Sequence, residues 1–102
     1  MPKNQEITQL IEKMKNRSAT IGIVGLGYVG LPLMLRFTEV GYKVLGIDID
    51  STKTQSLNDG KSYIEHIPSK AIENAVTKGF RATTNFSEAS QADALIICVP
   101  TP

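Results

Sequence analysis

The feature that most constrains the fold of this chain is a glycine-rich turn between a β-branched segment and an apolar one. Gly25, Gly27 and Gly30 have the spacing G-x-G-x-x-G. They follow Thr20–Val24, whose sequence TIGIV is typical of a short buried strand, and they precede an apolar segment with helical spacing. Three glycines alone are common in loops, but between a strand and a helix they predict the first crossover of a parallel sheet.

Strand and helix patterns alternate along the rest of the chain. Helices are predicted over residues 31–40, 51–57 and 69–78, strands over 42–47, 80–83 and 94–99, a loop over 62–68 and a helical turn over 87–91. A strand without polar residues, such as ALIICV at 94–99, is typical of a parallel sheet covered on both faces. The alternation therefore predicts an α/β fold, a Rossmann-type doubly wound parallel sheet of which about four of the usual six strands are present.

A short amphipathic helix is predicted ahead of the sheet. Its apolar side chains recur at the spacing of one helical face: Ile7, Leu10, Ile11 and Met14. The sequence thus predicts a helical arm over residues 1–17, followed by the first part of a dinucleotide-binding domain over residues 18–102. The remaining domains of such a protein are expected to be absent from this chain.

Charge and cysteine content argue against several classes of protein. Eleven Lys and Arg against ten Asp and Glu leave a net charge of +1, which offers no basic surface for nucleic acid or for an anionic membrane. No apolar stretch approaches the roughly 20 residues that cross a bilayer, and no signal peptide is recognisable. A single cysteine, Cys98, argues against disulfides and thiolate metal sites. We therefore expect a cytoplasmic protein without a metal.

Each glycine of the turn has a mechanical reason to be glycine. Gly25 permits the tight turn out of the strand, Gly27 lets the backbone approach a pyrophosphate, and Gly30 lets the helix pack closely on the sheet. The free N–H groups of the first helical turn, with about half a positive charge from the helix dipole, favour a phosphate group. Pro32 is tolerated there because its missing N–H would have no intrahelical partner.

An acidic residue completes the pattern of a dinucleotide-binding unit. Asp48 ends the predicted second strand, 18 residues after Gly30. Its carboxylate would accept hydrogen bonds from the adenosine ribose hydroxyls, worth about 1.5–3 kcal/mol each, and would repel a 2′-phosphate. The sequence therefore predicts NAD rather than NADP. Lys53 either reaches the ribose or lies in water, and Asp50 is predicted to cap the following helix rather than to bind a ligand.

For five other residues, the sequence predicts a structural role or does not decide the role. Tyr28 and Val29 are predicted to offer backbone N–H groups while their side chains only pack. Cys98 lies within an apolar segment and is predicted to be a small core residue. His66, the only histidine, is interpreted as structural, and the sequence does not decide the role of Glu65.

Four segments, GLGYVGLP, GYKVLGIDID, LNDGKSYIEHIP and ALIICVPTP, resemble the amino-terminal part of the UDP-glucose/GDP-mannose dehydrogenase family. The SYIEHIP loop and the helix leading into NRSATIGIVGLGYVGLP resemble the branch of bacterial UDP-N-acetylglucosamine 6-dehydrogenases and the related N-acetylmannosamine enzymes. The resemblance implies an oxidoreductase of O-antigen (lipopolysaccharide) or capsule polysaccharide synthesis. Such an enzyme oxidises the C6 alcohol of a UDP-sugar to a carboxylate with two NAD, through a cysteine-bound intermediate.

The resemblance also implies a set of NAD-binding residues and no catalytic residue in this chain. The implied cofactor-binding residues are Gly25, Leu26, Gly27, Tyr28, Val29 and Gly30 at the pyrophosphate, Asp48 and Lys53 at the ribose, and Val99, Pro100, Thr101 and Pro102 along the cofactor. The nucleophilic cysteine and the UDP-sugar site of the family belong to later segments, so Cys98 is not that nucleophile. The chain alone is expected to be inactive, and the full-length enzyme is expected to be a homo-oligomer.

Other functions remain open at this point. A stand-alone nucleotide-binding module without catalysis and a UDP-glucose 6-dehydrogenase are both compatible with the glycine motif. A methyltransferase also pairs a glycine loop with an acidic residue, but the YVGLP sequence at residues 28–32 argues against it. Because residues 94–99 form a strand normally covered by neighbours, we also expect this chain to self-associate or to be marginally stable.

Overall fold

Four parallel strands form the centre of the protein in the computed structural model, which describes residues 18–98. They are β1 (Thr20–Val24), β2 (Lys43–Ile47), β3 (Arg81–Thr83) and β4 (Ala94–Ile97), in the order β3-β2-β1-β4. Ile21 of β1 lies opposite Val44 on one side and Ala94 on the other. The predicted α/β fold with a four-stranded parallel sheet is confirmed, and the strand order reverses between β1 and β4.

Three α-helices and a 3₁₀ helix connect the strands. They are α1 (Gly30–Glu39), α2 (Ser51–Asn58), α3 (Ser69–Thr77) and the 3₁₀ helix Phe86–Gln91. Gly41 and Gly79 follow the ends of α1 and α3 with φ of 102° and 104°, a backbone conformation that glycine adopts without steric cost. Asp50 caps α2 as predicted, since its Oδ1 accepts a hydrogen bond from the Thr52 amide at 2.9 Å.

Some predictions concern residues outside the described part of the chain. The helical arm over residues 1–17 and the end of the last strand at Val99 lie there, as do residues 100–102. Within residues 18–98, no helix is long and apolar enough to cross a membrane.

The core lies where α1 and α3 meet the central strands. Ile23, Leu31, Met34 and Ile72 are fully buried there. On β4, in contrast, Leu95 and Ile97 are 48% and 69% exposed. The exposed apolar surface expected for the ALIICV strand in this chain is therefore present: β4 is an edge strand, and no described element covers Leu95 and Ile97.

Candidate dinucleotide-binding site

The glycine-rich loop, residues 25–29, lies at the carboxyl end of β1. A cavity of about 920 Å³ opens at this edge of the sheet, beside the point where the strand order reverses. In open parallel sheets, ligands bind at this kind of position, because the loops leaving neighbouring strands diverge there. Most of the sequence-predicted residues that the structure describes line the cavity together: Gly25, Leu26, Gly27, Tyr28, Val29, Asp48 and Lys53.

Gly25 and Gly30 shape the loop from inside the protein. Gly25 has φ of 98°, and its amide donates to the Ile47 carbonyl at 2.8 Å, so the pairing of β1 with β2 continues into the turn. A Cβ on Gly30 would lie 1.7 Å from the Gly25 carbonyl oxygen. The turn and the close helix packing predicted for these glycines are therefore present. Gly30 itself does not line the cavity, and its contribution is to seat α1 against the turn.

Gly27 differs from its neighbours because nothing in the protein requires it to be glycine. A Cβ built there would meet no atom within 4 Å, and Gly27 does not have a positive φ. No acceptor among residues 18–98 takes a hydrogen bond from the amides of Gly27, Tyr28 and Val29. The loop therefore presents open space next to three free donors at the beginning of a helix, an arrangement suited to an anion.

Asp48 lies across from the loop and is bound to it. Its Oδ2 accepts from the Leu26 amide and its Oδ1 from the Asp50 amide, each at 2.9 Å. Its own amide donates to the Thr83 carbonyl at 3.1 Å, which ties the end of β2 to β3. A carboxylate oxygen has more than one lone pair, so both oxygens keep acceptor capacity for hydroxyl groups. The sequence located the acid, but not its role in holding the Leu26 amide.

Tyr63 is a site residue that the sequence reasoning missed. It comes from the loop after α2, and its hydroxyl donates a hydrogen bond to the Leu26 carbonyl. Burial raises the pKa of this phenol well above its ordinary value, with further contributions from the Asp48 and Asp50 carboxylates, so it is a donor at neutral pH. The Lys53 Nζ lies 5.7 Å from the centre of its ring, within range of a cation–π interaction. Lys53 was predicted either to reach the ribose or to lie in water. In the structure it lines the cavity.

Exposed apolar side chains form another part of the cavity wall. Ile49 is 82% exposed and Phe86 is 46% exposed, and both line the cavity with Ile97. The placement of Ile49 between two aspartates after a buried strand was a usable signal for it. The sequence held no such signal for Phe86, because its position depends on how the 3₁₀ helix packs at the end of β3.

The remaining candidate residues separate into three groups. Cys98 is half-buried and packs against the core, as predicted, but it also lines the cavity. Glu65 and His66 are exposed and lie outside the cavity. Val99, Pro100 and Thr101 fall outside the described residues, so their predicted contacts with a cofactor stay predictions.

Comparison with known proteins decides the family. Residues 19–102 match the NAD binding domain of the UDP-glucose/GDP-mannose dehydrogenase family. The chain belongs to this family. Its cofactor is therefore NAD, and the site fits that molecule: the free amides and the open space at Gly27 suit a pyrophosphate, while the Asp48 carboxylate suits ribose hydroxyls.

Three relatives show how far the likeness extends. The UDP-N-acetyl-D-mannosamine dehydrogenase of Methanococcus aeolicus is 39% identical over 94 residues, 90% of this chain and 21% of that protein. The enzyme of the same name from Escherichia coli K12 is 41% identical over 86 residues, 82% of this chain and 20% of that one. The crystal structure of a GDP-mannose dehydrogenase ternary complex from Pseudomonas aeruginosa superimposes with a TM-score of 0.73 at 38% identity, covering 80% of this chain and 20% of that chain. The chain thus spans about a fifth of the length of these relatives.

Proposed function

We propose that the cavity binds the adenosine diphosphate half of NAD, as the cofactor-binding portion of a nucleotide-sugar 6-dehydrogenase. The observation that carries this proposal is the combination at Gly27: open space and unpaired amides on one side, and the Asp48 carboxylate across the cavity. The first amides of a helix have no intrahelical partner, and here those of Gly27, Tyr28 and Val29 belong to residues that line the same cavity as the Asp48 carboxylate.

Each group in the site has a distinct role in this proposal. The amides of Gly27, Tyr28 and Val29 bind the pyrophosphate, and Asp48 accepts from the adenosine ribose hydroxyls with Lys53 beside it. The other residues act through shape: Gly25, Leu26 and Gly30 set the course of the loop. Val99, Pro100 and Thr101 are included as cofactor contacts because the family resemblance implies them. NAD, when bound, accepts hydride from the substrate alcohol.

Selection of NAD over NADP follows from charge. A 2′-phosphate on the ribose would meet the Asp48 carboxylate, and the only cation lining the cavity within residues 18–98 is Lys53. Adenosine 2′,5′-bisphosphate is therefore expected to bind this chain less tightly than 5′-AMP, which differs from it only by that phosphate.

The substrate that we propose for the whole enzyme is a UDP-N-acetylhexosamine. Its C6 alcohol is oxidised to a carboxylate, a four-electron change in which one water is consumed and two NAD are reduced to NADH. Support comes from the similarity to two UDP-N-acetyl-D-mannosamine dehydrogenases and from the SYIEHIP loop. We place the reaction in O-antigen or capsule synthesis, in the cytoplasm, and in a homo-oligomer. None of the residues present here is assigned a catalytic role.

The test is a Gly27→Val variant titrated with ADP by isothermal calorimetry or ligand-observed NMR. Wild-type chain is expected to bind ADP, and the variant to lose at least about tenfold in affinity, because the new side chain occupies the pyrophosphate space. Gly27→Ala is expected to keep the melting temperature of wild type, since the added Cβ meets no protein atom within 4 Å.

Two results would count against the proposal. One is a folded wild-type chain that does not bind ADP or NAD at millimolar concentration. The other is a Gly27→Val variant that binds ADP as well as wild type does. Gly27→Ala provides the graded control, because its single methyl group should reduce affinity less than valine.

A further inference from the structure

The backbone N–H and the backbone carbonyl of Leu26 are each hydrogen-bonded to a side chain that lies far away in sequence. Its N–H donates to Asp48 Oδ2 at 2.9 Å, and its carbonyl accepts from the Tyr63 hydroxyl. The Leu26 side chain is fully buried and lies against Phe80 and the backbone of Gly46. Both backbone polar groups of Leu26 are therefore bonded within the protein.

The second of these hydrogen bonds controls the next residue along the chain. The Leu26 carbonyl and the Gly27 N–H belong to one planar peptide unit and, in the trans form, point in opposite directions. A donor that holds the carbonyl therefore also sets the direction of the Gly27 N–H, which points away from Tyr63. Glycine has few steric restrictions on rotation, so without this bond the Leu26–Gly27 peptide unit is free to reorient.

Tyr63 is itself firmly mounted. The Ser62 amide donates to Ser69 Oγ at 3.0 Å, at the start of α3. The next residue, Ile64, is only 5% exposed, and its carbonyl accepts from the Ile67 amide at 3.0 Å. The loop over residues 62–68 is thus hydrogen-bonded to α3 before the tyrosine and buried in the core after it, which gives the Tyr63 hydroxyl a defined position.

We propose that Tyr63 is a positioning residue for the cofactor: its hydroxyl orients the Leu26–Gly27 peptide so that the Gly27 N–H is presented to the pyrophosphate, while Asp48 holds the preceding Gly25–Leu26 peptide. This inference rests on the proposed function of the cavity. It assigns a role in cofactor binding to the SYIEHIP loop, none of which contacts the cavity directly.

The experiment compares Tyr63→Phe with Tyr42→Phe, which removes the same hydroxyl from a tyrosine that packs edge-on against Phe37 and does not line the cavity. ADP and adenosine are titrated into each variant and into wild type. Tyr63→Phe is expected to bind ADP about fivefold more weakly and adenosine unchanged, because only ADP uses the Gly27 amide. Tyr42→Phe is expected to match wild type with both ligands.

A second readout does not depend on any ligand. In ¹⁵N relaxation measurements on the free chain, the Gly27 amide is expected to become more mobile in Tyr63→Phe and to stay as in wild type in Tyr42→Phe. An unchanged Gly27 amide in Tyr63→Phe overturns the positioning role, whatever the titrations show. An equal loss of ADP and adenosine affinity overturns it as well, since general structural damage affects both. Failure of ADP to bind wild type overturns the proposed function of the cavity, which is a different result.

Discussion

The glycine-rich loop and strand β4 lie side by side at one edge of the sheet, and they differ in how far the described residues satisfy them. At the loop, the amides of Gly25 and Leu26 are bonded to Ile47 and Asp48, and Leu26 is completely buried. On β4, Leu95 and Ile97 stay about half and two-thirds exposed. The strand pairs with β1, and no other described strand lies beside it.

The comparison separates the shape of the binding loop from the covering of the edge strand. The loop obtains its shape from β1, β2 and the loop over residues 62–68, all within this chain. The outer face of β4 exposes the apolar side chains of Leu95 and Ile97, and exposed apolar patches commonly mark contacts with other protein. The chain spans about a fifth of the length of its relatives. We therefore expect loop geometry to survive in this chain while β4 governs its association.

The largest expected effect on stability comes from Gly30→Ala, which disrupts the packing of α1 against the glycine-rich loop. The added methyl would lie 1.7 Å from the Gly25 carbonyl oxygen, so α1 or the turn must move. We expect a loss of about 3 kcal/mol in the free energy of unfolding, the upper end for overpacking, measured by urea denaturation. Gly27→Ala is the matched control and should leave unfolding unchanged. Equal stability of the two variants would mean that the loop is less tightly defined than its contacts indicate.

The next effect concerns β4. Wild-type chain is expected to self-associate with increasing concentration, and Ile97→Lys to raise the dissociation constant about tenfold. Burying one isoleucine is worth about 1.5–3 kcal/mol, which the charged side chain removes. Sedimentation velocity over a concentration series measures this effect. Ile49→Lys is the control, because Ile49 lines the same cavity and is even more exposed, but it follows β2 and is not part of β4. A wild-type chain that stays monomeric at high concentration, or equal effects of both substitutions, would contradict the comparison.

The smallest expected effect is a pH dependence of stability, from a contact between β3 and the 3₁₀ helix at the edge of the sheet opposite β4. Glu88 accepts a hydrogen bond from the Thr83 hydroxyl and pairs with Arg81 at 2.8 Å, and these contacts hold the pKa of its carboxyl below the ordinary value. Because the pKa is lower in the folded state, the stabilisation is complete above the ordinary pKa of a glutamate. It is lost as the pH falls from there through the folded-state value.

Glu88→Gln should therefore have a slightly lower free energy of unfolding than wild type at pH 7. This difference should shrink as the pH falls, because wild-type Glu88 then loses its charge. Urea midpoints at pH 7 and pH 3 measure this difference. Glu39→Gln is the control, since its pairing with Arg36 is largely exposed and should contribute little. A difference between wild type and Glu88→Gln that is no smaller at pH 3 than at pH 7 would show that Glu88 does not stabilise the 3₁₀ helix through its charge.

Much of the fold was predictable because its signals are local. Apolar runs, the glycines after α1 and α3, and the Asp50 cap each reflect the preferences of a few adjacent residues. The same holds for part of the site, since a glycine turn followed by an acid at the end of the next strand is a pattern of sequence spacing. The exposure of β4 followed from the sequence only with the expectation that the rest of the domain is absent, because apolar composition alone does not indicate whether a covering element is present.

The sequence by itself determined the order of strands and helices, the glycine-rich turn, the acid that faces it and the family to which the chain belongs. Only the tertiary structure decided that Asp48 binds the N–H of Leu26 and Tyr63 its carbonyl. It also decided that Gly27 faces open space and that Ile49 and Phe86 form an apolar wall. The reason is physical: turns and caps depend on neighbouring residues, whereas a hydrogen bond over 37 positions depends on how loops pack after the sheet has formed.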